Sequence, residues 1–279
     1  MQKRQEKFWI RKVVDYAISI DMIWLVIWGT IFSSFVVLDS IFQTAYPGED
    51  VFWNLSFSDT PIIVKVVSNG TFIGVTILKY IGIVLSYVYA RKKFPKDYIL
   101  HIALAFTLLA DTILTFDSVS VFGVLAFCFA QYFHIARFAK IKPKAFATWT
   151  IFILTLLTFG WYNKIPDMYV LAFVYAISLI ANIVLTHRWW KQTKDNKNST
   201  DRELVASTCA MYGFILFLLC DTNVAVSYLS VTGTLPLFVA RYANFFAWLF
   251  YYPSQVLISN SSIITHKTKK ILKKVESKR

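Results

Sequence analysis

Charged side chains are scarce in this chain: Asp, Glu, Lys and Arg make up 16% of its 279 residues, where an ordinary soluble domain carries about 25%. An ordinary water-soluble globule is thereby excluded. Cysteine is scarce too. Cys128, Cys209 and Cys220 all fall inside apolar runs, where a buried free thiol is the expected state, so no disulfide framework is expected. The four histidines, His101, His134, His187 and His266, form no HxxxH or Cys/His cluster, so neither a metal site nor a cofactor is expected. Alternation of apolar and polar residues is absent, which excludes a transmembrane β-barrel. A cleavable signal peptide is not expected either: residues 1–12 are basic, but the apolar stretch after them runs on without a small-residue cleavage site.

What the chain has is hydrophobicity, 57% of residues, arranged as long apolar runs separated by short basic clusters. About 20 apolar residues span the roughly 30 Å hydrocarbon core as a helix, and helices satisfy their own backbone hydrogen bonds there. The pattern predicts an all-α integral membrane protein with eight transmembrane helices over 17–38, 72–90, 98–116, 120–138, 147–163, 168–187, 204–229 and 237–263. Residues 39–71 read as a polar and aromatic excursion in which 51–67 could lie as an interfacial helix. Asn54 and Asn69 head weak glycosylation patterns there. The whole chain reads as one membrane domain with a basic tail over 264–279.

Basic residues test the count. All but Lys65, Lys79, Lys164 and Arg241 fall in five clusters, at 1–12, 91–96, 137–144, 188–202 and 267–279. Eight helices put every cluster on one side, which the positive-inside rule makes cytoplasmic, with both termini. The net charge of +13 then follows from topology and lipid contact, and no nucleic-acid partner is expected. A multi-pass place in a bacterial plasma membrane is the expected location.

The third predicted helix carries Leu108-Leu109-Ala110-Asp111-Thr112 and the seventh Leu218-Leu219-Cys220-Asp221-Thr222. Each precedes a helix with an interior glutamine, Gln131 or Gln255. Two parallel four-helix repeats are the expected organisation.

Ionisable groups inside a membrane helix mark function by default, because each costs a few kcal/mol to insert. Asp21, Lys79, Asp111, Asp221 and Arg241 qualify. Asp21 lies near the cytoplasmic end of the first helix, within reach of water. At about 1.5 Å per residue the other four fall in the outer half of the bilayer, with Asn223 and Asn244. Gln131, Tyr251, Tyr252 and Gln255 come around mid-membrane, and the polar layer is expected not to run further through. Two acids and two bases in one low-dielectric layer either pair as interhelical glue, Lys79 with Asp111 and Arg241 with Asp221, or share protons in chemistry. His134, near the cytoplasmic end of the fourth helix, is expected to face the headgroups, though its titration range also suits a proton carrier.

Asp111-Thr112-Ile113-Leu114 with its preceding Leu108-Leu109-Ala110, then Phe127-Cys128-Phe129-Ala130-Gln131-Tyr132-Phe133-His134, resemble the paired helices of the YhhN-like lysoplasmalogenase family. The run from Gly213 to Asp221 resembles its second acidic helix. Arg241 to Asn244, followed by Tyr251-Tyr252-Pro253-Ser254-Gln255, resemble its last. Leu78-Lys79-Tyr80 sits where the family often has Lys-Pro. The resemblance covers about residues 72 to 260. Ala110 stands where the family has Gly, Gln131 where it usually has His, and His134 where Tyr is common. The resemblance implies hydrolysis of the vinyl ether of a lysoplasmalogen, releasing an aldehyde, with a membrane lysophospholipid or ether lipid as partner. It suggests Asp111 as general acid and Asp221 as cation stabiliser or base, with either order open. Lys79 and Arg241 would tune the acids or hold the phosphate, and Tyr252 and Gln255 would position water, with Asn244, Gln131 and His134 in support. A catalytically silent lipid-binding member, which the Gln131 departure allows, and a carrier built from two repeats stand as alternatives.

Overall fold

The computed structural model describes residues 22–45, 70–116, 120–139, 144–196, 198–231 and 233–262. Asp21, the 51–67 segment, both glycosylation patterns and the 264–279 tail lie outside the described residues. Among those described, all regular structure is helical. The elements are α1 (Met22–Ala45), α2 (Gly70–Lys93), α3 (Tyr98–Phe116), α4 (Val121–Ala139), α5 (Lys144–Tyr162), α6 (Asp167–Asp195), α7 (Asp201–Val231) and α8 (Leu237–Ser259).

Local chemistry sets the boundaries. Asp97 Oδ1 accepts the Leu100 amide at 3.2 Å and so caps α3. Thr200 and Glu203 close a reciprocal capping box at the start of α7: the Thr200 amide donates to Glu203 Oε2 at 2.9 Å, and the Glu203 amide to Thr200 Oγ1 at 3.2 Å. Proline opens two helices, Pro166 before α6 and Pro236 before α8, its fixed φ suiting a helix entry. Ser and Thr inside the apolar runs bond back to carbonyls one turn earlier, as Thr107 does to Ala103 at 3.1 Å and Ser178 to Val174 at 2.8 Å. Their hydroxyls therefore need no water. α1 runs on to Ala45, past the expected end at 38, because Asp39 does not break it and the helix continues through Ile41 and Phe42.

Among the described residues, five helices are long and apolar enough to cross a membrane: α3, α4, α5, α6 and α7. α1 has a shorter apolar stretch, Trp24–Leu38. α2 and α8 are diluted by Lys79 and the basic end of one, and by Arg241 and polar aromatics in the other. The bundle is dressed for lipid. Phe122, Trp161 and Phe238 stand 73%, 79% and 65% exposed, while Asp111, Gln131, His134, Arg137 and Asn182 are buried. This is the reverse of a soluble fold and fits a multi-pass membrane protein.

The helices pair in a recurring order. α1 packs on α2 as α5 packs on α6; α2 packs on α3 as α6 on α7; α3 packs on α4 as α7 on α8. Across the halves, α4 meets α6 and α8 meets α2. The main core gathers Trp28, Ile83, Leu100, Leu104, Leu179, Phe214, Phe217, Tyr251 and Tyr252. Two glycines mark close approaches of α8 to its neighbours. Gly82 of α2 lies directly beneath the Tyr252 ring, and a Cβ on Gly213 of α7 would stand 2.8 Å from Ile258 Cγ1 and 3.2 Å from its backbone nitrogen on α8. Small residues at such crossings are how membrane helices come close.

Candidate active site

Asp111 lies on the inner face of α3, 8% exposed. Its Oδ2 accepts the Tyr251 hydroxyl of α8 at 2.6 Å. Beside it, Thr112 Oγ1 and the Tyr80 hydroxyl of α2 share a hydrogen bond of 2.9 Å. Asp221, half-buried on α7, is held the same way from another helix: the Tyr175 hydroxyl of α6 donates to its Oδ2 at 2.6 Å. Both lengths lie at the short end of the range of about 2.5–3.0 Å for a hydroxyl bonded to oxygen. The buried Cys220, which precedes Asp221 on α7, shares one core with Phe217 and Tyr251.

An aromatic bridge ties the two pairs together. Phe217 packs edge-on to Tyr251 at 5.4 Å and to Phe127 at 6.0 Å, and Phe127 packs against Tyr175 at 5.7 Å. These rings keep the tyrosines upright and the surroundings apolar, so each hydroxyl has its carboxyl as the obvious partner.

One level further in, a third polar pair crosses from α4 to α6. Asn182 Nδ2 donates to Gln131 Oε1 at 2.8 Å and to the Gln131 carbonyl oxygen at 3.1 Å. Both side chains are fully buried. Gln131 lies one turn beyond Phe127 on α4, whose ring packs against Tyr175, so this pair adjoins the Asp221 side of the site. Neither Tyr175 nor Asn182 was expected from the sequence. The available signal was weak: they lie seven residues apart, on one face of α6, inside an otherwise apolar helix.

Polar groups do not stop there, which corrects the expectation of a layer that ends at mid-membrane. Along α4, Gln131, His134 and Arg137 recur every third residue and lead away from the aspartates. Arg137 is anchored at the far end. Its Nη2 donates to the Ser261 carbonyl oxygen and to Ser261 Oγ, and its Nε lies 3.7 Å from Asp97 Oδ2, which also accepts Ser262 Oγ at 2.8 Å. His134 does not face headgroups. It is 1% exposed and packs edge-on to Phe214 at 5.1 Å, because its position turns it toward α7 instead of outward.

The remaining expected residues divide. Tyr252 and Gln255 are buried but point elsewhere: the Tyr252 hydroxyl donates to the Trp28 carbonyl oxygen at 3.3 Å, and Gln255 Nε2 reaches Ser254 Oγ at 3.5 Å. Tyr251, one residue earlier, is the tyrosine that meets an acid. Asn244 is half-buried, and its Nδ2 has no partner among the described residues. Lys79 lies on α2 and Arg241 on α8, but the side chains of both, and so their expected ion pairs, lie outside the described residues. Among those residues no three His, Cys, Asp or Glu side chains gather as metal ligands would.

The chemistry available is that of two carboxyl groups, each gripped by a phenol, joined through aromatic rings between helices. The family model described as the YhhN family matches residues 74–262, a span that runs from α2 through the end of α8 and includes every side chain of this constellation. No curated protein and no solved structure matches the chain.

Proposed function

The chain belongs to the YhhN family, and from that premise we propose that it is a membrane hydrolase cleaving the vinyl ether of a single-chain ether lipid, a lysoplasmalogen, by acid–base chemistry between Asp111 and Asp221. The observation that carries this reading is the pairing of Asp111 with Tyr251 and Asp221 with Tyr175, drawn from four helices and joined through the rings of Phe217 and Phe127. Vinyl-ether hydrolysis begins with a proton delivered to the alkene carbon remote from the ether oxygen, leaving an oxocarbenium cation. Water then adds to that cation. Two carboxyl groups in unlike surroundings can divide the two tasks, one giving the proton and the other receiving one. Asp111, the more enclosed, is the acid in this reading. Asp221 stabilises the cation and takes the proton from water. The lipid enters sideways from the bilayer.

In the same reading all eight helices cross the membrane with both ends cytoplasmic. The halves α1–α4 and α5–α8 are parallel repeats. Their matching pairwise packing supports this. A carrier is the second reading, favoured by the polar groups that continue from the aspartates to Arg137 and Asp97.

The test is aldehyde release from lysoplasmenylethanolamine by purified protein in detergent. Asp111→Asn and Asp221→Asn should each lower the rate by about a hundredfold or more, with normal expression. Full activity in both variants removes the site assignment. Silence of the wild type across headgroups leaves a lipid-binding role, and counterflow in proteoliposomes without chemical change establishes the carrier.

A further inference from the structure

We propose that Gln131 and Asn182 hold the water that attacks the cation, on the Asp221 side of the site. This inference deepens the hydrolase reading and rests on it. It begins from an orientation that the hydrogen bonds fix. An asparagine amide is ambiguous until its neighbours decide which end is nitrogen. Here the Gln131 backbone carbonyl, which can only accept, lies 3.1 Å from Asn182 Nδ2. The asparagine nitrogen must therefore face α4, and Asn182 Oδ1 faces away. The same nitrogen takes Gln131 Oε1 at 2.8 Å, so Gln131 Nε2 is turned away from it.

The outcome is one donor and one acceptor left without partners. Gln131 Nε2 and Asn182 Oδ1 are both buried and unbonded among the described residues. Both side chains have no exposed surface at all. Unpaired buried amide atoms cost about 1–3 kcal/mol each, and the usual remedy is a buried water bonded to two to four polar groups. The pair offers such a water an N–H to accept from and an oxygen to donate to. Phe127, one turn before Gln131 on α4, packs against Tyr175, whose hydroxyl is bonded to Asp221, and Asn182 shares the face of α6 that carries Tyr175. A water held there lies on the side of the group that must take its proton.

The step balances without any further reagent. Asp111 gives its proton to the alkene carbon, whose π pair forms the new C–H bond while an ether-oxygen lone pair closes the C=O bond of the cation. The water's lone pair forms the C–O bond and its proton passes to Asp221, giving a hemiacetal. The hemiacetal then releases the glycerol oxygen with the bonding pair and a proton, leaving an aldehyde. One water is consumed and no net proton.

Gln131 and Asn182 are thus assigned to water capture alone, apart from proton delivery, and isotope exchange separates the two. When capture is fast, protonation of the alkene is committed. When capture is slow, the cation returns its proton, and in D2O the recovered lipid gains deuterium at the alkene carbon. Asn182→Leu should therefore release aldehyde about a hundredfold more slowly while the unreacted lysoplasmalogen becomes deuterated. Asp111→Asn should do neither. An Asn182→Leu protein that elutes as wild type yet keeps its full hydrolysis rate, or loses exchange and hydrolysis together, overturns the assignment. A map of the wild type at about 2 Å decides it independently of any variant and of any turnover: an ordered water within about 3 Å of Gln131 Nε2 and Asn182 Oδ1 is expected, and its absence overturns the site. Wild type that releases no aldehyde removes the hydrolase reading, and the map still decides the water.

Discussion

Asp111 and Asp221 each have a phenol as partner, and the partner's worth is measurable. Tyr251→Phe and Tyr175→Phe each delete one oxygen and leave the ring packed against Phe217 or Phe127. Leaving a buried carboxyl without its partner costs about 1–3 kcal/mol, so aldehyde release should fall by about five- to a hundredfold in either variant, and the melting temperature should fall with it. Equal rates for wild type and both variants would show that the phenols serve packing alone. The acids were legible in the sequence because an ionisable group inside an apolar run stands out by its insertion cost. Their partners were not. Tyr175 is one of 15 tyrosines, and nothing in an apolar, aromatic helix says which one turns inward to meet an acid from α7. His134 was misplaced for a related reason: closeness to a basic cluster suggested headgroups, whereas helical phase turned the ring inward onto Phe214.

At the scale of the helix, the closest crossings rest on positions without a side chain. Gly213→Leu would drive a side chain into Ile258 and its backbone, which is part of the same α8 that carries Tyr251. Overpacking of this kind costs about 1–3 kcal/mol. The variant should melt at lower temperature in detergent, and its activity should fall with it, since displacing α8 moves the Asp111 partner. An unchanged melting temperature would mean that α7 and α8 are free to part. Helix existence was readable from length and hydropathy, and α3 runs over the expected 98–116. α1 was expected to end at 38 because the residues from Asp39 on read as the start of a polar and aromatic excursion. One acid is a weak stop signal beside the apolar residues that follow it.

For the whole molecule, the arrangement predicts where cations sit. If eight helices cross with both ends inside, a cysteine placed at Lys164, in the turn between α5 and α6, should react with an impermeant maleimide from outside, and one placed at Lys194 should not. The native Cys128, Cys209 and Cys220 are buried and should stay silent as background. Labelling of both new positions from the same side would break the topology. That expectation comes from the basic clusters, since the positive-inside rule reads topology from lysine and arginine counts. The continuation of polar side chains from the aspartates to Arg137 was not, because Ser, Asn and His scattered singly through apolar helices acquire a direction only when the helices are placed side by side.

The clasp at Arg137 also sets a schedule. Its guanidinium and Asp97 meet Ser261 and Ser262 only after a further 124 residues have followed Arg137 along the chain. Elongation proceeds at about 5–20 residues per second, so on the ribosome that interval lasts roughly 6 to 25 s. Throughout it, a buried arginine and a carboxylate wait with one another and no serine to seal them. The earlier helices must therefore wait half-assembled, and the segment just past α8 is the one that locks α3 to α4. A nascent chain arrested before residue 261 should be trimmed by membrane proteases, while one released a few residues later should resist them.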